Sequence, residues 1–334
     1  MTDATPVPAR LIEDPPIYVV SKGRARYPYT IRTLSLMRTR FYVVVEAPEV
    51  DDYRAAIHAH GGWGTVLTLD PGYKSSYDAL MPLADTDSRG PGPARNFAWD
   101  HAAANGANRH WVMDDNISEF RIYTDGRKRW AADRTPLRLM EDFQARYTNL
   151  VMCGPNYEHF INARERHTPF VMNTRIYSCN LIATDLAHPH RWRGRYNEDT
   201  ILSLDLLTAG WATVQFNLSL QKKLGTQSLP GGNTDEFYHR EGKMDPAATK
   251  SEIRRGLRRA AGGTDFKSRM LVAEYPQYAR LVRRFQRLHH LVDYSSFTTA
   301  LKLRPDARPI RAPILAERPR AKTPLRPNPS GATR

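Results

Sequence analysis

The sequence predicts an α/β protein: a mostly parallel central sheet flanked by helices, followed by a basic, mostly helical C-terminal region. Three observations carry this. Short apolar runs alternate with helical stretches from residue 17 to residue 216, the pattern of a parallel sheet with crossover helices. One run, His110-Trp111-Val112-Met113, ends abruptly in Asp114-Asp115-Asn116. Beyond about residue 225 the apolar runs give way to arginine-rich segments.

Taken in order, residues 1–16 hold four prolines and no periodicity, so a flexible leader is expected. Ile17-Tyr18-Val19-Val20 is a short buried strand closed by Ser21-Lys22-Gly23-Arg24. Phe41 to Val45 is a second strand, and a helix is expected over 49–60. Thr65 to Leu69 gives a third strand before the turn signal Asp70-Pro71-Gly72. Helical composition returns over 94–104, just before the strand that ends in acids. A helix over 137–149, strands over 150–153 and 176–182, a helix over 199–209 and a strand over 211–216 complete the core.

The expected division is a leader at 1–16, a catalytic core at 17–225, a basic helical region at 226–300 and a disordered tail at 301–334. Helices are expected over 250–260 and 278–292. Residues 252–287 contain ten Lys or Arg against three acids. From Lys302 onward seven prolines accompany nine basic residues and two acids, a net +7.

The whole chain has 334 residues and a formal net charge of +14. A surface that basic favours an anionic partner, nucleic acid ahead of an acidic membrane or protein. Cys153 and Cys179 are too few for a disulfide scaffold and lie in apolar surroundings. No run has the length of a membrane span, and Met1 to Arg10 lacks the apolar segment of a signal peptide. A soluble protein in a reducing compartment is the expectation. The Walker A loop, the GxGxxG dinucleotide loop, the HExxH zinc motif and the GxSxG elbow are all absent from the sequence.

Four groups of residues point to chemistry. Asp114, Asp115 and Asn116 place hard oxygen donors at a strand's carboxyl end, where Mg²⁺ or Mn²⁺ bridges to phosphate; one carboxylate can instead hold a sugar hydroxyl, and an ordinary polar turn uses the same residue types. Ser21, Lys22, Gly23 and Arg24 form a basic loop suited to a nucleotide base or phosphate, or a solvated turn. Arg95, near the start of a helix, offers a planar fork to phosphate. Glu198 and Asp199 stand at a helix N-terminus, where one serves as a general base or Asp199 simply caps. His239, after Gly231-Gly232-Asn233, is a candidate fourth metal ligand. Trp63, Tyr73, Trp130 and Tyr157 are candidate stacking residues.

The order Ile17-Tyr18-Val19-Val20-Ser21-Lys22-Gly23-Arg24, Ala94-Arg95-Asn96, Trp111-Val112-Met113-Asp114-Asp115-Asn116 and Asn197-Glu198-Asp199-Thr200 resembles GT-A type glycosyltransferases. More narrowly it resembles phage glycosyltransferases associated with TET/JBP-type pyrimidine dioxygenases, with the basic character and His289-His290-Leu291-Val292-Asp293-Tyr294 carrying the narrower likeness. It covers roughly residues 15–300. The resemblance implies a Rossmann-like GT-A fold and a UDP-sugar donor bound by Ser21 to Arg24, Arg95, Asp114 and Asp115. It implies a Mn²⁺ or Mg²⁺ ion at Asp114, Asp115 and Asn116, with Asn116 a neutral departure from DxD, and Asp199 ahead of Glu198 as base. The implied acceptor is double-stranded phage DNA carrying 5-hydroxymethylpyrimidine, in the cytoplasm of an infected bacterium, with no membrane and no specific protein partner. A glycosyltransferase acting on protein or glycan, and a non-catalytic DNA-binding protein, are the rival readings.

Overall fold

The computed structural model describes residues 14–80, 89–224, 230–231, 263–284 and 287–307. The chain begins with β1 (Ile17–Val20), α1 (Tyr29–Leu36), β2 (Phe41–Val45), α2 (Val50–Ala59), β3 (Gly64–Thr68) and a one-turn α3 (Gly72–Ser75). It continues through α4 (Gly92–Ala104), β4 (Arg109–Asp114), β5 (Ile117–Thr124), β6 (Arg127–Trp130), α5 (Thr135–Ala145) and β7 (Leu150–Tyr157). Then come β8 (Phe170–Met172), β9 (Cys179–Ala183), α6 (Glu198–Thr208) and β10 (Ala212–Lys223). The C-terminal elements are α7 (Gly263–Glu274), β11 (Ala279–Arg284) and β12 (Arg287–Val292).

Strands β1 to β10 form one sheet in the order β3-β2-β1-β4-β9-β7-β10-β5-β6, with β8 beside β10. Among the described residues seven of these strands run one way and β5, β8 and β9 run against them. The expected mostly parallel sheet flanked by helices is therefore present. Alternation explains its two faces. Ile17, Val19, Trp111 and Met113 enter one apolar cluster, while Tyr18, Val20 and Val112 enter the other. Both faces are covered, so these strands read as continuous apolar runs rather than alternating ones. Each large side chain so buried contributes about 1.5–3 kcal/mol.

The connectivity creates the site. From β1 the chain moves outward to β2 and β3, then returns through α4 to β4 on the other side of β1. Reversal of strand order opens a crevice between the carboxyl ends of β1 and β4, whose last residues Val20 and Asp114 are paired in register.

Several segments depart from the sequence expectation. Helix α1 replaces an unassigned stretch, and β10 runs to Lys223 rather than stopping at 216. Residues 278–292 do not form the expected basic helix; β11 and β12 pair there as an antiparallel hairpin, Ala279 opposite Val292. Tertiary packing overrides the helical spacing. The hairpin lies against α7, Ala279 is buried with Met270, Leu271 and Tyr275, and its exposed arginines extend outward. The helix expected over 250–260 lies outside the described residues.

Candidate active site

The acidic turn after β4 is held by its backbone. Thr30, at the start of α1, donates its hydroxyl to the Asp114 carbonyl (2.7 Å) and its N–H to the Asp115 carbonyl (3.2 Å), and accepts from the Ile117 N–H (2.9 Å). The turn's shape is thus fixed from below, leaving both carboxylates to project over the sheet edge. They line a cavity of about 500 Å³, a size suited to a small organic ligand.

The loop after β1 meets Asp115. Ser21 Oγ donates to Oδ2 (2.6 Å) and Arg24 Nη1 to Oδ1 (2.6 Å). Arg24 also donates to the carbonyls of Pro230 and Gly231 (3.2 and 3.1 Å). Gly231 fits there because a Cβ would stand 2.4 Å from the Gly23 carbonyl oxygen, and its φ is +84°. Gly23 itself has a φ of 67° and donates its N–H to Glu49 (2.5 Å). Lys22 pairs with Glu46 (2.7 Å), which Lys74 also reaches (2.5 Å).

Arg95 is the buried hub, with 1% of its surface exposed. It projects from α4, lies over Trp192 (4.5 Å), and contacts Asp114 (2.7 Å), Glu198 (3.4 Å) and, most closely, Asp199. Burial works against its charge, but Asp199, Asp114 and Glu198 outweigh that and raise its pKa. Asp199 also accepts from the Ser178 N–H (3.1 Å) and Asn180 Nδ2 (3.2 Å). Burial pushes Glu198 up to about 7, against the pull of Arg95. Of the two acids, Glu198 is thus raised toward neutrality, while Asp199 carries the denser set of hydrogen bonds.

Sequence reasoning missed Lys223. Its ammonium, at the end of β10, reaches Asp114 Oδ2 (2.5 Å) and Ser178 Oγ (2.7 Å). Burial opposes its charge and Asp114 overcomes this, raising its pKa; Asp114 in turn is held low by Lys223 and Arg95 despite its burial. Asp115 is raised, because burial outweighs Arg24 and Ser21. Also missed were Arg175 and Tyr177 before β9, and Lys267 of α7, all of which line the cavity. Only the last strand extension, with its adjacent lysines at 222 and 223, carried a signal, and that pair reads as solvated charge.

Of the proposed stacking residues, Tyr157 lines the cavity and stacks on Tyr177 (4.9 Å) and on His159 (5.3 Å). Tyr73 bonds Asp100 in a separate cleft, and Trp63 and Trp130 are exposed near other sheet edges. His290, on β12, reaches the cavity, and burial lowers its pKa to about 4. His239 lies outside the described residues.

The expected divalent ion does not fit the donor set. Both oxygens of Asp114 accept from Arg95 and Lys223, and both of Asp115 from Arg24 and Ser21. Asn116 Oδ1 is buried without a hydrogen-bond partner, a single neutral donor. Among the described residues no three His, Cys, Asp or Glu side chains are grouped to hold a metal, so an ion here would depend on Asp114 or Asp115 and on oxygens of the donor itself. Both carboxylates are already engaged by cations.

A switch point in the sheet thus brings the carboxylates of two segments to one cavity, with Arg95 beneath it. The family model described as TET-Associated Glycosyltransferase matches residues 15–232, and the chain belongs to that family. The family is one of glycosyltransferases. Among solved structures the chain is similar to mouse xyloside xylosyltransferase 1 in its apo form (11% identity, 58% of this chain and 82% of that one, TM-score 0.33). It is also similar to the inositol-1-phosphate CTP transferase from T. maritima (9% identity, 64% and 91%, TM-score 0.34). No curated protein matches the chain.

Proposed function

We propose that the cavity binds a UDP-hexose, glucose or N-acetylglucosamine, and that the enzyme transfers the sugar to the hydroxyl of a 5-hydroxymethylpyrimidine in DNA, 5-hydroxymethylcytosine first. The observation that supports this most is the buried Glu198, held by Arg95 beneath it, facing Ser21, Lys22 and Arg24 of the basic loop across one cavity. The loop orients the diphosphate, and Arg95 beneath the cavity fixes Asp114, Glu198 and Asp199 in place. Glu198 takes the proton of the acceptor hydroxyl as its oxygen attacks the anomeric carbon from the face opposite the leaving group, inverting that centre. Asp199 holds Arg95 and the Ser178 backbone in place. No step is assigned to a divalent ion.

The DNA reading draws on the family, on the +14 charge and on the aromatic wall of Tyr157 and Tyr177, which suits a pyrimidine ring brought out of the helix. A phage-encoded enzyme of this kind works in the cytoplasm of the infected bacterium. No helix among the described residues is long and apolar enough to cross a membrane.

The test is incubation of DNA containing 5-hydroxymethylcytosine or 5-hydroxymethyluracil with a panel of UDP-sugars, read by mass spectrometry of the digested nucleosides. A hexose added to the modified base is expected. Transfer only to protein or glycan acceptors, or no transfer from any donor, overturns the reading.

A further inference from the structure

Resting on the UDP-sugar reading of this cavity, we propose that Lys223 does the work of a divalent ion: its ammonium bridges Asp114 to the diphosphate of the donor and stabilises the departing nucleotide. Lys223 Nζ contacts Asp114 at 2.5 Å and lines the same cavity. An ammonium has three N–H donors, and Asp114 and Ser178 take two, leaving one for a phosphate oxygen.

The surrounding charge supports the same conclusion. Lys22, Arg24, Lys74, Arg175, Lys223 and Lys267 line the cavity with Arg95 beneath them, seven cations against the five carboxylates of Glu46, Asp114, Asp115, Glu198 and Asp199. The cavity is therefore net positive before any ion enters, which suits a diphosphate. A divalent ion at Asp114 would instead have to displace Lys223 or Arg95 from their carboxylate, stranding a buried cation.

As the acceptor oxygen bonds to the anomeric carbon, the bond from that carbon to the β-phosphate oxygen breaks and its electron pair stays with the nucleotide. The acceptor proton passes to Glu198. The negative charge gained by the phosphate is met by Lys223.

Calorimetric titration of UDP in EDTA and in Mn²⁺ tests this. The two dissociation constants are expected to agree within about threefold, and Lys223→Ala is expected to weaken binding at least tenfold. Lys223→Arg is expected to recover most of that loss, which separates lost charge from misfolding. UDP binding that needs Mn²⁺, or wild-type binding by Lys223→Ala, overturns the Lys223 proposal but leaves the donor reading standing. Failure of the wild-type protein to bind UDP under both conditions overturns both.

Discussion

Ser21 donates its hydroxyl to Asp115 across 2.6 Å, joining the loop after the first strand to the acidic end of the fourth. The two residues are 94 positions apart in sequence and neighbours only because β1 and β4 pair in parallel. Tyr53 completes the contact, its hydroxyl 2.5 Å from Ser21 Oγ and within 3.0 Å of the Arg24 N–H. The loop's position is thus set by the sheet, the second helix and Asp115 together.

Removing the Ser21 hydroxyl should therefore loosen the loop without touching the base. Ser21→Ala is expected to cost about 1–1.5 kcal/mol of donor binding, the usual net worth of such a hydrogen bond. UDP titration should show a Kd raised roughly five- to tenfold by that energy, with kcat changed less. An unchanged Kd would show that the loop does not contact the nucleotide.

Arg95→Lys keeps the charge but loses the fork. One ammonium cannot serve Asp114, Asp199 and Glu198 in their present positions. Leaving buried carboxylates unpaired costs about 3–5 kcal/mol. Urea unfolding should show a loss of that order, and transfer in the folded variant should fall at least about 100-fold. Retention of near-wild-type stability and rate would mean that the fork is not what holds the site.

Glu198 has its carboxyl lifted to about 7 by burial. A general base acts only when ionised, so transfer should fall as pH drops below about 7 and level off above it. Glu198→Gln should abolish that limb and lower kcat about 10²–10⁴-fold. Asp199→Asn should keep the limb while lowering the rate through Arg95. The opposite assignment of the limb, lost in Asp199→Asn and kept in Glu198→Gln, would make Asp199 the base.

Much of this was legible because parallel strands advertise themselves. Ile17 to Val20, Phe41 to Val45 and His110 to Met113 are buried on both faces, so each is an unbroken apolar run, and the acids follow at once. The candidate site residues Ser21, Lys22, Arg24, Asp114, Asp115, Asn116, Glu198 and Asp199 all line one cavity for that reason, with Arg95 beneath. Lys223 was not legible. It becomes a site residue only because β10 extends seven residues beyond the apolar run and passes beside Ser178 and Asp114. The hairpin at 279–292 was hidden for another reason: its apolar spacing satisfies a helix, and only the packing against α7 selects the strand pair.

His110 gives a stability prediction away from the site. It is fully buried among Trp99 and Tyr18, with Nδ1 2.9 Å from Thr184 Oγ1 and Nε2 unpartnered. Burial, with Arg191 adding to it, lowers its pKa to about 3, against about 6.5 in the unfolded chain. Between those values the unfolded chain binds the extra proton, so His110's contribution is full above about pH 6.5 and is lost as pH falls toward 3. The slope approaches about 1.4 kcal/mol per pH unit within that window. Urea midpoints at pH 7.5 and 5.5 should differ in the wild type and differ less in His110→Gln. Equal pH sensitivity of the two proteins would place the acid lability elsewhere.

The hairpin supplies the last test, of how DNA reaches the cavity. His290 on β12 lines the cavity while Arg280, Arg283 and Arg284 on β11 are exposed. Arg280 and Arg284 lie on the ribbon face opposite His290 and Arg283 on the same face, so the ribbon borders the chemistry and also offers charge to a phosphate backbone. Contacts of that kind carry no sequence information but release counterions, each changing the salt slope of log affinity by about 0.9. Replacing all three arginines by serine is expected to reduce that slope by about 2–3 and to weaken binding equally for modified and unmodified duplexes. Transfer to a free 5-hydroxymethylated nucleoside should be unchanged, because none of the three lines the cavity. Fluorescence anisotropy across a salt series reads the first effect and nucleoside mass spectrometry the second. An unaltered slope would mean that the duplex approaches over another edge of the sheet, with the exposed Arg127, Arg129 and Trp130 of β6 next to be replaced.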